Sequence, residues 1–594
     1  MNIQKTFFPL TALAFPVVFS GCQSTKPERP NIIVILADDL GYSDLGCYGG
    51  EVQTPNLDKL AQNGLRFSQF YNAGKSCPTR ASLLTGLYPH QAGIGRMTFD
   101  QGLPGYRGTL THNGVTIPEL LQNVGYQTSM IGKWHVAETP LREDQRQWLA
   151  HQVQYDEFAS LENYPTQRGF HYFYGTIYGV VNFFDPFSLV YGEEPVRSVP
   201  SGYYSTVALA DSAVACVNRY AKSDDPFFMH LAFHAPHWPL HALPEDIKKY
   251  EDVYKVGWEA IRNLRYERMK KLGIFNTSEE FLSERQFNDA WADNPDAEWD
   301  THAMAVHAAM VDRMDQEIGK LLRTLEKNGQ LDNTLILFMS DNGCSSENCQ
   351  NYPPGENDRP AEMRNGEPII YPRKKETLPG PENVFASIGP KWANVANTPF
   401  RFWKGIMYEG GVCTSAIAHW PKGMKIKKGS VIADPAHVMD IMATCLELSG
   451  ATYPAIYNGN DIIPLSGKSF ASVFKTGKRD QRHEFIGFEH FREKALVTND
   501  GWKMVQGPRN AEFEWELYNL KTDRTEMSNV AAQHPEKLRE LIEKYKEWTE
   551  QTAVVPAPEP LWRRNVEIVN SVKVRFELFR RGVSLVKLDC HYYY

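Results

Sequence analysis

The sequence predicts an α/β chain: a large mixed, mostly parallel sheet sandwiched by helices, with a smaller C-terminal antiparallel sheet plus helix. Three observations predict it. Apolar, β-branched runs such as Asn31-Ile32-Ile33-Val34-Ile35-Leu36 alternate with segments of helical periodicity, the rhythm of parallel βα units. That first run stops abruptly at Asp38-Asp39, which places acids at the carboxyl end of a strand, the edge where open α/β sheets bind ligands. Over 480–550 the rhythm changes to short, closely spaced strands followed by one helix.

In chain order, residues 31–36 read as a buried parallel strand because they form an apolar, β-branched run, and 128–131, 227–233 and 335–339 are further strand candidates. Residues 55–62 and 117–123 read as helices between them. A longer helix over 303–327 ends at Asn328-Gly329, a helix stop just before the strand that delivers Asp341. Strands are predicted near 484–491, 495–498, 502–505 and 515–520, with the covering helix over 535–549. Segments 140–200, 245–300 and 350–397 are rich in Pro, Asn, aromatics or charge and poorly periodic, so they read as insertions that rim a site. The resulting division is a leader over 1–22, the α/β domain over 28–475, the antiparallel unit over 480–555, and an unassigned tail over 556–594.

At 594 residues, with 42 % hydrophobic and 23 % charged residues, the chain is long enough for a large core and a smaller companion. Its net charge of -8 supplies no cationic excess, which excludes nucleic acid as an expected partner. Lys5, the apolar run 7–19 and Ser20-Gly21-Cys22 read as an export address that resembles a bacterial lipoprotein signal, with Cys22 as the lipidated first residue. An ordinary signal peptide cut near Gly21 is the alternative. The chain is expected to be exported from a bacterial cell, periplasmic or membrane-anchored by lipid, and to touch the membrane only through that anchor. The nine cysteines form no CxxC pairs and no Cys/His spacing suited to zinc. Cys344 and Cys349 flank a short polar loop and are a candidate disulfide.

Asp38-Asp39 and Asp341-Asn342 both follow apolar strands and offer only hard oxygen ligands. One such pair alone caps a helix or closes a turn as readily as it binds metal. Two pairs at strand ends point to a shared cation, and hard oxygens without histidine favour Ca²⁺.

The most informative segment is Ser76-Cys77-Pro78-Thr79-Arg80-Ala81-Ser82-Leu83-Leu84-Thr85-Gly86. It resembles the signature of the type I sulfatases, which belong to the alkaline phosphatase superfamily. In that signature a Cys or Ser is followed by any residue, Pro, any residue and Arg, with Thr-Gly further on. Ser76 takes the position that the family oxidises to formylglycine (3-oxoalanine), Pro78 and Arg80 take the fixed positions, and Cys77 is out of register. The likeness runs from Asn31 to about Thr549. Gly132-Lys133-Trp134-His135, Ala235-Pro236-His237-Trp238-Pro239 and Lys404-Gly405 with Glu409-Gly410-Gly411 resemble later family segments in family order, most closely those of exported bacterial arylsulfatases. Cys413 and Ser415 depart from the pattern, since many relatives carry Arg and Pro there.

The resemblance implies hydrolysis of an aryl sulfate or a sulfated carbohydrate through a formylglycine-sulfate intermediate, with one Ca²⁺ per site held by Asp38, Asp39, Asp341 and Asn342. It implies that Ser76 is the nucleophile precursor and that Arg80 holds its oxygens. Lys133 and Lys404 face the sulfate, His237 protonates the leaving alcohol, and His135 acts on the formylglycine during sulfate release. It further implies an anaerobic sulfatase-maturating enzyme acting on Ser76 as a partner. Read singly, Lys133 and Lys404 could be snorkelling surface lysines, and His135 and His237 could be satisfied structural histidines. Two other functions remain open from sequence: a phosphoester or phosphonate hydrolase of the same superfamily, and a silent glycan-binding protein with unmodified Ser76.

Overall fold

The computed structural model describes Met1 and residues 29–138, 157–275, 281–351, 360–491, 493–507 and 514–555. The expected leader, with Cys22, and the tail over 556–594 lie outside the described residues. Among the described residues no helix is long and apolar enough to cross a membrane.

Eleven strands form the main sheet among the described residues. In chain order they are β1 (Asn31–Ala37), β2 (Leu65–Tyr71), β3 (Gln127–Lys133), β4 (Tyr172–Thr176), β5 (Leu189–Tyr191), β6 (Glu194–Pro195), β7 (Phe227–Ala232), β8 (Thr334–Ser340), β9 (Cys413–His419), β10 (Ser430–Ile432) and β11 (Ala436–His437). Their spatial order is β10-β2-β9-β8-β1-β7-β3-β4-β5-β6, with β11 also paired to β2. β8, β1, β7, β3 and β4 are mutually parallel, whereas β9 runs antiparallel to both β8 and β2. The expected mixed, mostly parallel sheet is therefore the one observed. β1 lies between β8 and β7, and Ile32 to Ala37 are fully buried, as an apolar run with no polar face requires.

Helices cover both faces. The strand residues Ile33 and Ile35 pack into one apolar cluster with the helix Ala297–Lys327, and Ile32, Val34 and Leu36 pack into another with the helix Ser76–Thr85. The helix starting at Ala297 begins six residues before the expected start, because Trp299 buries its ring against the same cluster. Segment 245–300 corrects the sequence reading. It contains the helix Gly257–Leu272, which buries Trp258, Ile261, Arg262, Arg265, Tyr266 and Met269 along one face. Two of those face positions are arginines, which thinned the apolar signal. Arg265 is held between Asp44 and Glu51 at 2.7 and 2.6 Å, so its charge is paired inside the protein. Burial would push Asp44 upward, but Arg265 and His307 hold its carboxyl down at about 2.

The C-terminal unit is a four-stranded antiparallel sheet, β14 (Phe485–His490), β15 (Glu493–Thr498), β16 (Trp502–Gln506) and β17 (Glu516–Asn519), numbered after the small hairpin β12 (Ile456–Tyr457) and β13 (Asn460–Asp461). The helix Pro535–Gln551 covers it, with Leu541, Tyr545 and Trp548 buried. A buried ionic cluster ties this unit to the main domain. Lys503 Nζ lies 2.8 Å from Glu409 and 2.7 Å from Glu526, the Arg524 guanidinium also pairs with Glu409, and Glu526 accepts the backbone N–H of Glu409 at 2.8 Å. Cys344 and Cys349 are both buried and no disulfide joins them, so the expected bridge is absent.

Removing one partner of a buried charge cluster leaves the others uncompensated, which costs about 3–5 kcal/mol. Lys503→Met is therefore expected to lower the denaturant midpoint by that order of stability, read from equilibrium unfolding in urea.

Candidate functional site

Parallel strands bring their carboxyl ends to one edge, and this is how distant segments meet. β1 ends at Asp38-Asp39, β8 at Asp341-Asn342, β3 at Lys133 with His135 just beyond, and β7 leads to His237. Lys404 arrives from the opposite chain direction, ahead of β9, whose antiparallel course puts its amino end at the same edge. β2 runs parallel to β8 through β9, so the helix that follows it, Ser76–Thr85, also starts here. All ten residues of that helix are buried, and Ser76 stands at its first turn, where unpaired backbone N–H groups and the helix dipole favour negative charge.

Ser76 and Arg80 are one helical turn apart and therefore share a face. The Ser76 hydroxyl donates to Asp341 Oδ2 at 2.7 Å and accepts from Arg80 Nε at 2.9 Å. Arg80 also donates to Asp341 Oδ2 at 2.8 Å and to the Lys133 carbonyl at 2.9 Å. Gly132 is required where β3 crosses close to β7, because a Cβ there would lie 1.8 Å from the Ala232 carbonyl oxygen. That approach sets up Lys133, whose Nζ is 2.6 Å from Asp38 Oδ2. Lys404 Nζ is 2.7 Å from Asp39 Oδ1, and His237 Nε2 is 3.4 Å from Asp39 Oδ2. Asn342 Nδ2 donates to Asp39 Oδ1 at 2.6 Å. His135 Nδ1 is 3.4 Å from Ser76 Oγ. All ten residues singled out from sequence thus lie in one cluster, nine of them buried and His135 half-buried, and Asp39 and His135 hold left-handed backbone, φ 63° and 55°.

Electrostatics explain the arrangement. Asp38, Asp39 and Asp341 are fully buried beside one another, and Arg80, Lys133 and Lys404 oppose them. Burial pushes Asp38 well above the usual carboxylate range, and Asp341 adds to it. Burial acts the same way on Asp341, but Arg80 and Lys133 hold it low. For His135, burial and then the charges of Lys133 and Arg80 keep the imidazole neutral. His237 is pushed down to about 4 by burial against the pull of Asp39, and its Nδ1–H is held by the Trp238 carbonyl at 2.5 Å, which leaves Nε2 toward the pocket.

A metal ion fits this donor set. Asp38 Oδ1 and Asn342 Oδ1 are buried oxygens without a hydrogen-bond partner, an arrangement that costs free energy unless a cation or donor meets them. Asp38, Asp39 and His237 also place ligand atoms within 4.8 Å of one another. The oxygens are hard donors suited to Ca²⁺ or Mg²⁺.

Several supporting residues were not singled out from the sequence. Glu347, in a polar loop after β8, accepts from the Trp238 indole and lies 3.5 Å from Lys75. Asp44 accepts the Gly41 N–H at 2.9 Å and so fixes the turn after Asp38-Asp39; a Gly-x-x-Asp turn was the available clue. Cys413, where the sequence departs from the pattern, accepts from the Arg524 guanidinium of the C-terminal unit at 3.3 Å, and that guanidinium also pairs with Glu409.

Comparison with known proteins agrees with this geometry. The family model described as Sulfatase matches residues 30–451, and one described as N-sulphoglucosamine sulphohydrolase, C-terminal, matches residues 400–553. An uncharacterized sulfatase of Schizosaccharomyces pombe is 32 % identical over 93 % of this chain and 99 % of its own. An arylsulfatase of Klebsiella aerogenes is 31 % identical over 80 % of this chain and 99 % of its own. The crystal structure of Ps i-CgsB in complex with k-i-k-neocarrahexaose superposes with a TM-score of 0.61 at 25 % identity, covering 93 % of this chain and 98 % of that one. With a family model spanning most of its length and relatives above 30 % identity, the chain belongs to the sulfatase family and is a sulfuric ester hydrolase.

Proposed function

We propose that this enzyme cleaves sulfate esters on carbohydrates, using one Ca²⁺ and a formylglycine made from Ser76 by an anaerobic sulfatase-maturating enzyme. The observation that carries the reading is the Ser76 hydroxyl between Arg80, Asp341 and His135, beside two orphaned buried oxygens. The carbohydrate assignment is favoured by the structural neighbour solved with a carrahexaose. Export, whether periplasmic or lipid-anchored at Cys22, belongs to the same proposal.

A formylglycine at residue 76, hydrated, would supply an oxygen nucleophile and a second hydroxyl for release of sulfate, and a bound Ca²⁺ would supply Lewis acidity. Asp38, Asp39, Asp341 and Asn342 would hold the ion. Arg80 orients the oxygen on residue 76 and offsets the carboxylate charge. Lys133 and Lys404 are buried cations positioned to receive sulfate oxygens, where low dielectric makes each charge count for more than in water. In this reading His237, whose Nε2 lies 3.4 Å from Asp39, protonates the leaving alcohol, and His135 exchanges a proton with the oxygen of residue 76.

A phosphoester hydrolase is the competing reading. The hard-oxygen acid and amide set, with two lysines beside it, suits a monoanionic sulfate; a dianionic phosphate usually recruits more metal.

Against a sulfated oligosaccharide or an aryl sulfate, Ser76→Ala is expected to abolish turnover. Lys404→Ala is expected to lower kcat about 10²- to 10³-fold by loss of one charge stabiliser, and aryl phosphate turnover should stay far below that of aryl sulfate. Calcium at about 100 times its Kd should raise stability by about 2.7 kcal/mol, read as a higher Tm, and Asp341→Asn should flatten that response.

A further inference from the structure

His135 has two ring nitrogens, and the reaction needs only one of them. Nδ1 faces Ser76 Oγ at 3.4 Å, while Nε2 lies 3.2 Å from the thiol of Cys77, the next residue of the same helix. The imidazole is also clamped on one face, because a Cβ on Gly179 would fall 2.2–2.6 Å from its ring atoms. The ring therefore cannot drift toward Gly179, and the thiol is the polar group that meets its far nitrogen.

The proton positions follow by elimination. The Ser76 hydroxyl spends its one proton on Asp341 Oδ2, a carboxylate that only accepts, and takes the Arg80 Nε–H on a lone pair. What remains on Ser76 Oγ toward His135 is a lone pair, so Nδ1 carries the imidazole proton and donates it. His135 is neutral, since burial and the charges of Lys133 and Arg80 disfavour the cation. Nε2 is then a bare acceptor, and the Cys77 S–H must donate to it. Burial pushes this thiol up to about 12, so it keeps its proton.

We infer that Cys77 is a positioning residue for His135: its thiol holds Nε2, fixes the ring plane, and sets which nitrogen carries the proton toward residue 76. A thiol both donates and accepts, so Cys77 keeps a partner on Nε2 in either tautomer when Nδ1 gives or takes a proton. The kinetic consequence rests on the sulfatase reading above; the hydrogen bond itself does not.

Two measurements test it. On protein produced without a maturase, so that residue 76 is serine, the infrared difference between wild type and Cys77→Ser isolates the Cys77 S–H stretch. A band lowered by donation to nitrogen is expected, and a band at the frequency of a thiol lacking such an acceptor overturns the assignment. On matured protein, with kcat normalised to the modified fraction from the mass of the peptide spanning residues 76–80, Cys77→Ala should lose about tenfold in kcat, the worth of one buried hydrogen bond. KM should stay within about twofold, and Cys77→Ser should restore most of the loss. Equal kcat for Cys77→Ala and wild type contradicts the positioning role. A matured wild type that turns over no sulfate ester strikes instead at the sulfatase reading, and the infrared band still decides the pairing.

Discussion

The structure depends on placing three carboxylates in one buried pocket. Asp38, Asp39 and Asp341 could not stand ionised beside one another without compensation, because each has lost its hydration and each repels the others. Arg80, Lys133 and Lys404 supply part of the balance from three separate segments, and the orphaned oxygens of Asp38 and Asn342 mark where further positive charge belongs. The parallel sheet is the scaffold that makes this meeting possible. Its strands deliver the acids, Lys133 and His237 from different parts of the chain to one edge, and the antiparallel β9 lets Lys404 enter from the other direction.

The surroundings hold this pocket in place. Asp44 ties down the turn after the first acid pair and is itself anchored by Arg265 and His307 on two helices. On the far side, Glu409 follows the Lys404 loop and is pinned by Lys503, Arg524 and Glu526 of the C-terminal unit. The smaller unit thereby braces the segment that presents Lys404, which gives a physical reason for the two units to be packed as one body. The pocket also holds non-glycine left-handed backbone at Asp39 and His135.

Much of this was legible in the sequence, and the legible parts share a cause. β1, β7 and β8 are buried on both faces and read as apolar runs, and chemistry-bearing residues follow them. β2 and β9 were missed although nearly all their residues are buried. LRFSQFY and CTSAIAH carry polar or small residues that find partners only through tertiary contacts, such as the Arg66 guanidinium donating to the Cys47 carbonyl. The helix Gly257–Leu272 hid behind its arginines for the same reason. The motif around Ser76 singled out the residue proposed to be modified, but not that Cys77 would meet the back of His135, since that contact depends on how β3 and the Ser76 helix cross.

The central claim is that residue 76, in this charge-balanced pocket, works as formylglycine. The most direct measurement is the mass of the peptide spanning residues 76–80 from active protein, taken across preparations of differing specific activity. The account predicts a species lighter than the encoded serine peptide by one molecule of hydrogen, its fraction rising in proportion to sulfatase turnover. Undiminished turnover from protein in which residue 76 is serine throughout would contradict it.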